Sequence, residues 1–485
     1  MKMMIDGMHV DAKDKATIPV LNSATQEFLD TVPAATPEDI SAAIEAAQAG
    51  KKIWGDTPQY KRSEILIKCA EAIDRNLDSL CRLLTTEMGK IITEARAEVD
   101  CAAQIFRGFA EMANHFYGQT MSEFQKGSET DIIFTRHEPL GVVACITPFN
   151  YPTELCYHKV AAALAVGNAV IIKPATDNPL TVMRIAELCW ESGIPGNVLQ
   201  VVTGQGQKIG RLLASAQGID KISLTGSTEV GVDVATHAVQ TMKRLSLELG
   251  GNDPFVVFED ADMDLAVAEA VSGRLKNAGQ TCVSPKRFIV QNTVMNEFTE
   301  KVIDSLKKLK LGSPLSEDTQ LGSLINIKAA QRVLEQVEHT VAQGAKCIYG
   351  GKVYDQTYFQ PTVLTGVTKE MDVAVDMEVF GPVFPMIGFD TFEEAIEIAN
   401  NTPYGLQAGV MTKDSSKAIR AASRIKAGAV VINGSGNYRN IDQPFGGVKM
   451  SGMGREGVCC TLAEMTHEKS YILKRIMVDN ESCGS

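Results

Sequence analysis

The chain alternates, twice over, between short apolar runs and longer stretches with apolar residues at helical spacing. The first series contains a run at Gly141–Ile146, closed by Pro148, and another at Ala169–Ile172, closed by Lys173-Pro174. Further runs follow at Val198–Val202 and Ile222–Leu224. Between them, Tyr157–Ala165 and Thr181–Ser192 read as helices, the second stopped by Gly193 and Pro195. The second series starts after Gly251, with strands at Pro254–Val257 and Phe288–Val290 and helices at Leu265–Lys276 and Asn296–Leu309. Further αβ units continue to about residue 435. Upstream, Ser63–Glu87 carries Ile65, Leu66, Cys69, Ile73 and Leu77 on one helical side. Strands alternating with helices imply βαβ units and a parallel sheet. An α/β fold with parallel sheets follows, and in such sheets ligands sit at the carboxyl ends of the strands.

Two β-like segments, Thr130–Thr135 and Ser470–Ile476, stand apart from both series. Neither can satisfy its edges alone, so they are expected to pair and to reach toward a partner subunit. With 485 residues, 45% hydrophobic and 22% charged, the chain has material for about three domains of roughly 150 residues. The net charge of −12 argues against a nucleic-acid partner. Asp6 and Asp11 break any apolar run near residue 1, so no secretion signal is expected. The most apolar stretch, Val160–Ile172, is too short to cross a bilayer and contains Asn168. The protein is expected to be cytoplasmic, with no membrane partner. Its 11 cysteines form no CxxC pair, and the adjacent Cys459 and Cys460 fit no zinc pattern, so no metal site is expected.

Three short segments carry possible chemistry. In Asn277-Ala278-Gly279-Gln280-Thr281-Cys282, the glycine permits an unusual backbone, and two polar residues suggest a segment exposed in a cleft. Taken alone, Cys282 could equally be a buried small hydrophobe. In Leu247-Glu248-Leu249-Gly250-Gly251-Asn252 a carboxylate sits between leucines. Apolar surroundings disfavour its charged form and can poise it as a general base, although a solvated helix-end glutamate would read the same way. In Ile146-Thr147-Pro148-Phe149-Asn150-Tyr151-Pro152, Asn150 either offers an N–H to a developing oxyanion or occupies a turn.

Together these segments resemble the signature of the aldehyde dehydrogenase superfamily, over residues from about 20 to 475. So do Lys173-Pro174-Ala175-Thr176, Leu224-Thr225-Gly226-Ser227-Thr228-Glu229-Val230-Gly231, Glu378-Val379-Phe380-Gly381-Pro382 and Pro444-Phe445-Gly446-Gly447. The resemblance implies that Cys282 attacks the aldehyde carbon as a thiolate. The Asn150 amide and the Cys282 backbone N–H would then hold the oxyanion. Hydride would leave to NAD(P)+, and Glu248 would activate the water that hydrolyses the thioester. Relatives that pass the acyl group to coenzyme A usually lack this glutamate. A non-catalytic relative would be expected to have lost the nucleophile or the base, and both are present here.

For the cofactor, the resemblance implies Lys173 at the adenosine ribose and Gly226 with Ser227 near the pyrophosphate. Glu378 would hold the nicotinamide ribose beside Phe380. Ile146, Thr147, Pro148, Thr176, Gly206, Gly210, Val230, Leu249 and Gly250 complete the expected site. Many NAD-preferring relatives carry glutamate where this chain has Thr176. Its absence removes a charge that repels a 2′-phosphate, so NADP is expected to be at least tolerated. Thr176 has an alternative role as the N-cap of the next helix.

For the substrate, Arg439, followed by Asp442, resembles the pattern of relatives acting on lactaldehyde, glyceraldehyde 3-phosphate, phosphonoacetaldehyde and succinate semialdehyde. Arg439 could pair with an anionic tail. Arg107, Tyr151 and Thr281 are the other candidates. A small anionic or hydroxylated aldehyde is expected, with a plain aliphatic or aromatic aldehyde as the alternative. The expected organisation is a Rossmann-like dinucleotide-binding domain (1–119 and 139–247) and an α/β catalytic domain (248–455). Two β arms (120–138 and 460–485) would build a homodimer or homotetramer.

Overall fold

The computed structural model describes residues 1–122 and 125–476. Two parallel sheets organise it. The first contains β1 (Met3–Ile5), β2 (Met8–Val10), β3 (Val142–Ile146), β4 (Ala169–Lys173), β5 (Leu199–Val201), β6 (Lys221–Thr225) and β7 (Arg244–Glu248). Its order is β2-β1-β5-β4-β3-β6-β7, ending on Gly452–Met453, and β5 through β7 run parallel. All five residues of β3, β4 and β6 are buried, as expected of strands covered by helices on both faces. Chain order reverses between β3 and β6, so their carboxyl ends open a crevice at the switch point.

The second sheet contains β8 (Pro254–Val257), β9 (Arg287–Gln291), β10 (Lys346–Tyr349), β11 (Thr362–Val367), β12 (Val383–Phe389), β13 (Gln407–Met411) and β14 (Ala429–Ile432). Its order is β10-β11-β12-β9-β8-β13-β14, parallel except for β10. Each sheet has its own apolar core.

Among the helices are α1 (Pro37–Gly55), α2 (Gln59–Arg75), α3 (Leu77–Met88), α4 (Ile92–Met112), α5 (Pro152–Ala165), α6 (Leu180–Glu191), α7 (Gly206–Ser215), α8 (Thr228–Ala238) and α9 (Met263–Leu275). The single helix expected over Ser63–Glu87 is two, because Asn76 leaves helical geometry at φ −108, ψ 10. Among the described residues no helix is long and apolar enough to cross a membrane.

The two isolated β-like segments do pair. Thr466–Leu473 lies antiparallel along Ile132–Pro139, from Thr466 opposite Pro139 to Leu473 opposite Ile132, and Thr120–Met121 joins the other side. The chain boundaries differ from expectation in two places. Gly452–Met453 returns to the first sheet beside β7, rather than ending the second unit. Residues 460–464 belong to a helix, Val458–Glu464, that packs on α4 and α5, so the arm begins at Thr466. Positions 123–124 and 477–485 of the expected arms lie outside the described residues.

Candidate active site

The nucleophile segment follows α9 through a turn that ordinary residues resist. Asn277 and Ala278 take φ of 52° and 54°, and Gly279 follows at 79°. Two side-chain-bearing residues in the left-handed region store strain that their surroundings must hold. A Cβ at Gly279 would overlap the Gly381 backbone, so glycine serves a close approach there as well as a φ.

Gln280 and Thr281 are not exposed as expected; they are 0% and 3% accessible. Their polarity serves the loop instead. Gln280 Nε2 donates to Asn277 O at 3.1 Å, its Oε1 accepts Ile325 N–H at 2.9 Å, and Thr281 Oγ1 donates to Lys276 O at 3.3 Å. The partly accessible residue is Cys282, packed beside Val283, Leu406 and Phe445. Its backbone N–H makes no hydrogen bond among the described residues. Burial pushes the Cys282 thiol up to about 12, against the pull of Lys286.

Asn150 is 3% exposed between the end of β3 and the start of α5. Its backbone carbonyl accepts Lys90 Nζ at 2.9 Å and Asn277 Nδ2 at 3.0 Å. The same Asn277 amide reaches Gln280 O at 3.2 Å, which ties Asn150 to the nucleophile loop. Lys90 pairs with buried Glu98, whose Oε1 accepts Thr153 N–H at 2.9 Å at the first turn of α5. With its carbonyl fixed, the Asn150 side-chain amide makes no hydrogen bond to another described residue.

Glu248 ends β7 opposite Thr225, at the carboxyl edge of the first sheet. It is 5% exposed and its Oε2 has no partner among the described residues. Burial pushes its carboxyl well above the usual range, and Glu456 adds to the push. Beside it lies a buried charge cluster. Lys159 pairs with Glu456, and Arg439 Nη2 meets Glu456 Oε2 at 2.7 Å. Burial pushes Glu456 up, but the charges of Lys159 and Arg439 outweigh it and hold that carboxyl low.

The substrate candidates separate. Arg439 is near the nucleophile, but its charge is engaged: it pairs with Glu456, approaches Glu154 at 3.9 Å and lies 4.2 Å over Phe445. Asp442 is not its partner. Arg107 is 41% exposed and pairs with Asp74 across α2 and α4. Tyr151 lays its ring over Lys90 at 3.5 Å, with its hydroxyl buried. Thr281 is engaged with the loop, as described. A residue that sequence reading passed over, His158, is 1% exposed, and neither ring nitrogen has a hydrogen-bond partner among the described residues. Burial pulls it down to about 3, so it is neutral. Lys159 and His158, polar within an otherwise apolar helix, were the signal available for both.

The cofactor candidates gather at the crevice. Ile146, Thr147 and Pro148 close β3, and Gly226 and Ser227 close β6. Ser227 caps α8, and Val230, 36% exposed, lies in its first turn. Leu249 fits against Gly231, where a Cβ would overlap it, and Gly250 sits against the Glu378 carboxylate. Glu378 also accepts Gly251 N–H at 3.1 Å, and Phe380 meets Phe149 edge-on at 5.9 Å.

Lys173, which burial lowers to about 8, donates to Pro174 O at 2.8 Å and lies 3.5 Å from Thr176 Oγ1. Thr176 does not cap α6, whose N-cap is Pro179; its hydroxyl donates to Gly204 O at 3.1 Å. Gly206 opens α7 within 4 Å of Lys173 Nζ, counted from a built Cβ. Gly210, on the buried face of α7, lies against Val234 of α8. Two helix N-termini, an ammonium and a carboxylate at one crevice fit a dinucleotide with a pyrophosphate and ribose hydroxyls.

The aldehyde dehydrogenase family model matches residues 9–471. A glutarate-semialdehyde dehydrogenase of Pseudomonas putida is 40% identical over 93% of each chain. A lactaldehyde dehydrogenase of Methanococcus vannielii is 37% identical over 97% of this chain and 99% of its own. Among solved structures, an NADP-dependent enzyme of E. coli superposes with a TM-score of 0.94 at 36% identity, covering 98% of both chains. An NAD-dependent aldehyde dehydrogenase of Sinorhizobium meliloti gives 0.95 at 34%, covering 98% of this chain and 94% of its own.

Proposed function

The chain belongs to the aldehyde dehydrogenase family, whose members are NAD(P)-dependent oxidoreductases, and we propose that Cys282, Asn150 and Glu248 carry its reaction. The observation that supports this most is the Asn277 amide. It joins the Asn150 carbonyl to the loop bearing a Cys282 N–H with no acceptor, which leaves two oxyanion donors available.

Cys282, as thiolate, attacks the aldehyde carbon, and the oxygen that gains the electron pair is held by the Cys282 N–H and the Asn150 side-chain amide. Bound nicotinamide supplies the hydride acceptor. The carbon is then a thioester on Cys282. Glu248, once deprotonated, takes a proton from water; hydroxide adds to the thioester and Cys282 leaves as thiolate. Lys173, Ser227, the first turn of α8 and Glu378 would hold the cofactor.

The substrate is a small hydroxylated or anionic aldehyde, the class named for the Pseudomonas and Methanococcus relatives. An anion at Arg439 would have to share it with Glu456. NADP serves at least as well as NAD, because no carboxylate stands at Thr176. The unpaired edge Thr466–Leu473 exposes Ile472 (59%) and Leu473 (42%), which supports a dimer or tetramer built through this arm. The test is Cys282→Ala: aldehyde oxidation and cofactor-free ester hydrolysis should both vanish while cofactor binding stays. Oxidation above a trace would assign the reaction to another group.

A further inference from the structure

Lys286 stands four residues after the nucleophile, where the loop enters β9, with its side chain 1% exposed. Its ammonium donates to Thr281 O at 3.1 Å and Cys282 O at 2.5 Å, with Ser284 O at 3.5 Å. Glu378 Oε1 lies 3.4 Å away. We propose that Lys286 is a positioning residue that aims the oxyanion N–H of Cys282 and lends its charge to the thiolate. The inference rests on the reading of Cys282 as nucleophile.

The geometry of one peptide unit carries the argument. Thr281 C=O and Cys282 N–H belong to the same planar trans amide and point in opposite directions. Holding the oxygen therefore aims the N–H away from Lys286, where it meets no acceptor among the described residues. A cation on the oxygen also polarises the amide and makes the N–H a stronger donor. A buried ammonium is costly unless it is neutralised and hydrogen-bonded, and here carbonyl dipoles of the nucleophile loop supply most of the partners. Charged groups bearing on the thiol come from four segments: Lys286 on its own loop, Asp253 at the start of β8, Glu378 before β12 and Arg439 in the loop after β14. Of these, Lys286 is the main influence favouring the thiolate. Its contact with Glu378 connects that influence to a residue of the cofactor crevice.

The test is the pH profile of iodoacetamide alkylation, read at each cysteine by peptide mass spectrometry on the full-length enzyme. Exposed Cys347 and Cys459 serve as internal references. Lys286→Met and Lys286→Gln should shift the Cys282 profile upward by about one pH unit, roughly tenfold slower at fixed pH, and leave the references unchanged. Lys286→Arg, which keeps the charge, should stay within about threefold of wild type. Cofactor-free ester hydrolysis should lose at least about tenfold in kcat with little change in KM. Lys286→Gln decides the matter if Lys286→Met does not fold. Profiles of the Gln variant overlaying wild type, or an Arg variant as slow as Gln, would overturn the proposal. If alkylating Cys282 in wild type leaves esterase activity intact, the nucleophile reading itself fails.

Discussion

Replacing Arg439 with methionine separates a structural charge from a substrate ligand. The guanidinium is 16% exposed, bonded to 5%-exposed Glu456 at 2.7 Å and stacked 4.2 Å from Phe445. Methionine keeps the apolar stem against Phe445 but removes one of two cations from Glu456, leaving Lys159. Breaking a buried pair by removing one partner costs about 3–5 kcal/mol, and the surviving Lys159 contact puts this case near the lower figure. A loss of about 3 kcal/mol should lower Tm by roughly 3–10 °C, depending on the size of the cooperative unit. Arg439 also helps keep the Glu248 carboxyl from rising further, so the variant should need higher pH for turnover. The assays are a thermal melt and kcat/KM for succinate semialdehyde and propanal. The account predicts a lower Tm and losses on the two substrates within about threefold of each other. An unchanged Tm, with KM raised about 30-fold or more for the acidic aldehyde alone, would refute it and make Arg439 a free anion ligand.

Two further outcomes follow from the site. Thr176→Glu puts a carboxylate beside Lys173, where it can take ribose hydroxyls and repels a 2′-phosphate; the NADP-to-NAD ratio of kcat/KM should fall about 100-fold or more, and an unchanged ratio would remove Thr176 from the cofactor argument. Because burial and Glu456 raise the Glu248 carboxyl, its base form grows as pH rises, so thioester hydrolysis should accelerate with increasing pH; a hydrolysis rate flat across pH 6 to 9, on the order of the accessible range, would contradict the base assignment.

The sheets were legible because a fully buried parallel strand must be a short apolar run and its crossover must carry helical spacing. Val142–Ile146, Ala169–Lys173 and Pro254–Val257 all show this. The end of the Val142–Ile146 run also located Asn150, whereas Glu248 stood out only as a carboxylate between two leucines, its strand Arg244–Glu248 unread. What stayed hidden depends on distance in the chain. The Lys159–Glu456 pair spans 297 residues, and neither residue's neighbours announce the other. Arg439 looked free because its partner is set by the fold. Gln280 and Thr281 looked exposed because polarity was read as a preference for water, whereas each is buried to satisfy the backbone of a strained turn. Gly452–Met453 returns to the first sheet as a two-residue edge, too short to leave a periodic signal.

The central claim is that the acyl group passes through Cys282 and leaves by way of Glu248. Glu248→Gln, mixed with an oxidisable aldehyde and oxidised cofactor, quenched in acid and digested, tests it most directly. The account predicts a burst of about one reduced cofactor per site, and a peptide containing Cys282 that is heavier by the acyl group of that aldehyde. Wild type under the same conditions should show far less of that adduct. An adduct on a different cysteine, or a burst with no adduct at all, would contradict the account.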